Sequence, residues 1–176
     1  MYYGEIKTND IANGEGVRTA LFVSGCTRRC KNCFNQQTWD FKFGTPFTDE
    51  TIDYIFEVTS PDWVQGLTVL GGEPMEIENQ RALYPFLKKF KEKFPNKDLW
   101  IFTGFLFDED LIQGGQRYTE VTDDLLSLVD VMVDGRFVEE LHDITLQFRG
   151  SSNQRVIDVQ KSLKENKVVI WEKLKK

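Results

Sequence analysis

The residues best suited to chemistry are concentrated in SGCTRRCKNCFN, residues 24–35, which holds every cysteine of the chain: Cys26, Cys30 and Cys33. The spacing C-x3-C-x2-C lets three thiolates on one loop face a common point. The flanking Arg28 and Arg29 favour the thiolate form. Two metal chemistries suit such a set. An iron–sulfur cluster is ordinarily closed by four cysteines, so three leave one iron open to an exogenous ligand. A structural zinc site needs a fourth protein ligand, and His142 is the only histidine. Structural zinc ligands come in close pairs, whereas His142 lies far along the chain in the acidic run EELHD. The spacing favours iron–sulfur. A second element is Gly71-Gly72-Glu73-Pro74. Two glycines at a strand end let backbone approach a ligand closely, and Glu73 offers a carboxylate to a cationic group. A tight strand-to-helix turn explains the same residues if GGEP is taken alone.

These loops need elements to position them, and the pattern supplies alternating strands and helices. Strands are expected over 19–24, 67–72, 98–104, 129–135, 155–159 and 167–171. Helices are expected over 48–60 with Thr48 as cap, 79–94 with a kink or restart at Pro85, and 122–129 with Thr122 as cap. A short acidic helix is expected after Phe107, and another helix over QKSLKEN. Strands separated by helices imply an α/β fold with a mostly parallel sheet in one domain, residues 1–176. A closed eight-stranded barrel usually takes about 250 residues, so 176 residues imply a partial, incomplete α/β barrel or an open sheet. The cysteine loop, GGEP, FTG and VDG all fall at predicted strand C-termini, where sites of such folds collect.

The bulk composition narrows the function. Net charge is −6, without a basic patch interleaved with aromatics, which argues against nucleic acid as partner. No apolar run approaches the roughly 20 residues that span a bilayer. The opening MYYGEIKTND lacks a secretory pattern, so a cytoplasmic setting with reduced thiols is expected.

CTRRCKNC after a strand, followed by GGEP, resembles the radical S-adenosylmethionine (SAM) enzymes. Within them the chain is similar to activating proteins of anaerobic ribonucleoside-triphosphate reductase, through IANGEGVRTALFVSGCTRRCKNCFNQQTWDF, LTVLGGEPM, LWIFTGF, VDVMVDGRFV and RGSSNQRVIDV. The resemblance implies a [4Fe–4S] cluster on Cys26, Cys30 and Cys33, with SAM on the fourth iron. It implies that Gly71, Gly72 and Glu73, with Pro74, meet the SAM ammonium, and that the adenine lies by the main chain of Asn32 to Phe34. Asn32 departs from the superfamily, where an aromatic often precedes the third cysteine. The implied reaction is reductive cleavage of SAM to a 5′-deoxyadenosyl radical that takes hydrogen from a glycine of the reductase large subunit. The electron would come from a low-potential donor such as flavodoxin. Arg28 and Arg29 raise a cluster's potential, so they are expected to face outward as a docking point, or simply to be solvated.

Further residues carry two readings each. Glycines of NGEGVR (13–18) either reach the site or form a turn. Thr103 is placed for a hydrogen bond to SAM. Asp134 either binds SAM polar groups, with Arg136 orienting the target, or forms an Asx turn with Gly135. Asn153, in the 151–155 loop, either joins the site or caps a strand. The four tryptophans, Trp39, Trp63, Trp100 and Trp171, are expected in core or interface packing. Rival functions are a small radical SAM enzyme similar to 7-carboxy-7-deazaguanine synthase, and a non-catalytic zinc or iron–sulfur module.

Overall fold

A computed structural model describes residues 1–33 and 35–174. Its seven-stranded sheet comprises β1 (Tyr2–Asp10), β2 (Arg18–Val23), β3 (Thr45–Pro46), β4 (Gly66–Gly71), β5 (Asp98–Phe102), β6 (Val131–Asp134) and β7 (Arg155–Asp158), in the spatial order β3-β1-β2-β4-β5-β6-β7. The four middle strands β2, β4, β5 and β6 run parallel, while β1 and β7 pair antiparallel on either side. The sheet is open, because no pairing joins β3 to β7.

Strand alternation sorts the side chains between two faces. Leu21, Val23, Leu67, Val69, Leu99, Ile101 and Met132 point to one side. There they meet helices α1 (Asp49–Thr59), α2 (Ile77–Lys93) and α3 (Thr122–Leu126) through Ile55, Leu83, Phe86, Leu87, Phe90 and Leu125. On the other face Trp100 packs with Val131, Val133, Val156 and Trp171. Arg18 is wholly buried on that face: its Nε donates to Thr68 Oγ1 at 2.7 Å and its guanidinium pairs with Asp98. No described helix is long and apolar enough to cross a membrane.

Thr48 caps α1 as expected, accepting from Thr51 N while Thr51 Oγ1 accepts from Thr48 N. Other expectations need correction. The helix of 77–93 is continuous through Pro85 and does not restart there; Pro85 is solvent-exposed, so the carbonyl it leaves unbonded can be hydrated. Thr122 lies inside α3, and Val121 is its N-cap. The Thr122 hydroxyl instead donates to Gln80 Oε1 at 2.6 Å and accepts from Thr119 N. Turns replace the acidic helix after Phe107, since Asp110 folds its own loop by accepting from Leu106 N at 2.7 Å. The last expected strand is reduced to one bridge, Ile157 to Ile170, after the left-handed Asn166 ends α4 (Val159–Glu165). Strand β1 escaped the pattern because it is mostly exposed or half-buried and so lacks an apolar run.

Trp100 and Trp171 are in the core, but Trp63 is 67% exposed and Trp39 is half-buried. The glycines of 13–18 precede β2 and so lie at the opposite end of that strand from the cysteine loop; the turn is the reading that fits.

Candidate metal centre

Five loops lie side by side at the C-terminal ends of the parallel strands. The cysteine loop leaves β2, GGEP leaves β4, and FTGF leaves β5. VDGR leaves β6, and the residues before β7 return beside it.

The first two loops are bonded directly. Glu73 N donates to Gly25 O at 2.8 Å and Gly72 N to Val23 O at 2.8 Å. This close approach explains both glycines. Gly71 has φ +112°, a left-handed backbone, and a Cβ there would meet Val23 N at 2.7 Å; at Gly72 a Cβ would press on the Gly25 and Thr38 carbonyls at 2.8 Å. Pro74 is buried in the turn that leads to α2.

The Glu73 side chain is turned inward and 1% exposed. Its Oε2 accepts from Thr103 Oγ1 at 2.6 Å and Met75 N at 2.8 Å, and its Oε1 from Gly104 N at 2.6 Å. Burial pushes its pKa up to about 7 even so, because the three donors are neutral. Glu73 and Thr103 are thus joined to each other, and the carboxylate fastens GGEP to FTGF.

Asp134 and Asn153 belong to a neighbouring network. Asp134 is fully buried and accepts two bonds from Arg155, at 3.0 and 2.6 Å, and one from Phe107 N at 2.8 Å. Arg155 also reaches Asp108 at 2.8 Å, and these carboxylates raise its pKa. Asp134 is an ion-pair anchor, which neither sequence reading foresaw. Asn153 is exposed; its amide donates to Arg136 O at 2.7 Å, while Gln154 Nε2 donates to Gly135 O at 2.9 Å. VDGRF and GSSNQR are therefore one hydrogen-bonded unit.

The cysteine loop rises from β2 with Cys26 buried and with Cys30 and Cys33 half-exposed. Asn32 is exposed with φ +60°, and Phe34, expected beside the adenine, lies outside the described residues. Burial, then the nearby Glu73 charge, push the Cys26 thiol up to about 11, against a smaller opposing pull from the Arg28 and Arg29 main-chain N–H groups. Arg28 does not face outward: it is half-buried, its guanidinium 4.7 Å from the Phe105 ring centre. Arg29 is exposed and lies over Trp39 at 5.1 Å.

Two residues without a sequence signal, Glu76 and Arg117, complete the arrangement. Glu76, 3% exposed, accepts from Thr27 N at 2.5 Å and from Arg117 Nε at 2.9 Å. Arg117 also donates to Thr27 Oγ1 at 3.1 Å, and its guanidinium is 4.6 Å from the Phe105 centroid. The contact spans too much sequence for periodicity to reveal.

Among the described residues no three Cys, His, Asp or Glu side chains converge into a ready metal cage. His142 packs against Phe137 at 5.7 Å. The donor set nevertheless fits an iron–sulfur cluster. It offers three thiols on one loop at the C-terminal end of β2, Cys26 buried and Cys30 and Cys33 half-exposed, beside the backbone of GGEP.

The profile of the "4Fe-4S single cluster domain" matches residues 12–157, so loop and sheet together define a single-cluster iron–sulfur protein. Proteins called anaerobic ribonucleoside-triphosphate reductase-activating protein are similar over most of the chain. The one from Haemophilus influenzae is 40% identical over 156 residues, 88% of this chain and 96% of its own length. That of Escherichia coli K12 is 36% identical over 158 residues, 89% and 97%. That of enterobacteria phage T4 is 36% identical over 156 residues, 89% and 93%. The chain belongs to this family of activating proteins.

Proposed function

We propose that the chain activates an anaerobic ribonucleoside-triphosphate reductase as a radical SAM enzyme. The observation that carries this reading is the bonding of the cysteine loop to GGEP, Glu73 N to Gly25 O, in a chain whose relatives bear that name. In this reading Cys26, Cys30 and Cys33 hold a [4Fe–4S] cluster. One iron would remain open for SAM, whose ammonium the main chain and carboxylate of Gly71 to Glu73 would meet, with the main chain of Asn32 to Phe34 assigned to its adenine. When bound, the cluster and SAM supply the one-electron chemistry that abstracts hydrogen from a glycine of the reductase large subunit.

The chain's own residues do the positioning. Cys26 would bind as the thiolate, its proton released to solvent, and Glu73 holds the GGEP turn in place from behind. Thr103 and Asp134 fix the adjoining loops, and Asn153 holds the VDGR turn. The chain acts as one domain, 1–176, and its open sheet is an incomplete α/β barrel whose gap admits a loop of the large protein substrate. The electron donor is a low-potential protein of the flavodoxin type, met in a reducing cytoplasm. Of the two arginines, the exposed Arg29 is the one available to it.

The test is anaerobic reconstitution, followed by incubation of reduced protein and SAM with the reductase large subunit. A glycyl radical signal in electron paramagnetic resonance is expected. A colourless protein that binds one zinc, or no such signal from a SAM-perturbed cluster, refutes the reading.

A further inference from the structure

We infer that Glu76 and Arg117 form a clamp that sets the cysteine loop's geometry and the potential of whatever cluster it carries. The inference rests on the cluster reading above and assigns positioning roles to two residues outside the cysteine and GGEP motifs.

Bonding along the loop is uneven. Ser24, Gly25 and Cys26 donate their N–H groups to Tyr2, Thr38 and Trp39 carbonyls. Thr27 is the next residue, and its N–H reaches no carbonyl; it ends on Glu76 Oε2 at 2.5 Å. Two residues on, Arg29 has φ +47°. An Arg residue holds that strained conformation only when its surroundings fix it. The peptide that enters the turn is therefore held from outside by one carboxylate.

That carboxylate is itself oriented. Glu76 follows GGEP directly before α2, and its Oε1 accepts from Arg117 at 2.9 Å with side chains only 4% and 20% exposed. Arg117 in turn donates to Thr27 Oγ1 at 3.1 Å. Arg28 and Arg117 both lie over Phe105, at 4.7 and 4.6 Å, so the β5 loop closes the clamp. Three strand ends thereby meet on Thr27. Nearby charge is a lever on an iron–sulfur potential, and the clamp places two opposite charges beside the loop.

Two measurements on Glu76→Gln and Arg117→Gln test the clamp. In metal-free protein, amides of residues 26–33 should exchange hydrogen about tenfold faster or more in both variants, as loss of a charge-assisted bond predicts. Exchange in β4 and α2 should stay slow. In reconstituted protein the midpoint potential should rise in Glu76→Gln and fall in Arg117→Gln, because each leaves the other's charge beside the cluster. A merely structural pair would not move the potential in opposite directions. Unchanged loop exchange, or potentials that shift together, overturns the inference. If Glu76→Gln loses protection throughout, Arg117→Gln decides alone: faster loop exchange with a lower potential supports the clamp, and any other result refutes it. A wild-type chain that takes up no iron sinks the cluster reading, while the exchange experiment still judges the clamp.

Discussion

Two carboxylates, Glu73 after β4 and Asp134 at the end of β6, are buried to the same degree at the same end of the sheet, yet they are held differently. Glu73 has neutral partners only: Thr103 Oγ1 and the amides of Met75 and Gly104. Asp134 has the Arg155 guanidinium on both oxygens. Neutral donors orient a carboxylate without repaying the loss of hydration, so Glu73 remains titratable near neutrality. An ion pair fixes charge as well as position, which suits a loop anchor. The first arrangement lies against the cysteine loop and the second two strands further on.

The comparison breaks most visibly at Arg155. Arg155→Ala leaves Asp134 charged, buried and unpaired, and should lower unfolding free energy by roughly 3–5 kcal/mol, read from urea denaturation of metal-free protein. Asp134→Asn, which still offers an oxygen to Phe107 N, should cost less. Equal small losses in both would show that the pair contributes little.

Glu73 should reveal itself through pH instead. Its folded pKa, about 7, stands above the ordinary 4.5, so the folded state holds the extra proton. Stability from this group is therefore greatest below about pH 4.5, declines as pH rises, and levels off above about 7. The full span is on the order of 3 kcal/mol. Glu73→Gln should flatten that part of the profile; a slope unchanged in the variant would assign the titration elsewhere.

Thr103→Val should have a smaller effect of about 1–2 kcal/mol, the cost of removing one donor from a buried acceptor. It should also carry the Glu73 slope to higher pH, since the Thr103 bond is the largest influence holding that pKa down. A slope that stays in place would mean that backbone donors suffice.

The two carboxylates also differ in how far sequence reveals them. GGEP could be read because glycine types and a strand end restrict what the backbone does there, just as cysteine spacing restricts metal chemistry. The middle strands were legible as short apolar runs, and α1 through its cap at Thr48. Asp134 was legible as a residue of interest but not in its role, because Arg155 reaches it across the sheet. Glu76 and Arg117 were invisible for the same reason, and β1 because both its faces are partly wet. Local chemistry can be read locally, whereas a long-range partner becomes visible only once the fold brings it near.

Asp108→Asn is the finest probe of the contrast. Asp108 shares Arg155 with Asp134 at 2.8 Å, but its side chain is 48% exposed. Arg155 draws its pKa down, chiefly through the hydrogen bond. Solvent screens most of that attraction, so the loss should be about 0–1 kcal/mol. This small contribution is present above the ordinary carboxylate pKa and is lost as pH falls through the depressed one. Since Arg155 keeps both bonds to Asp134, the variant should behave almost as wild type at neutral pH. A loss approaching that of Arg155→Ala would mean that Asp108, rather than the buried pair, sets the guanidinium's position.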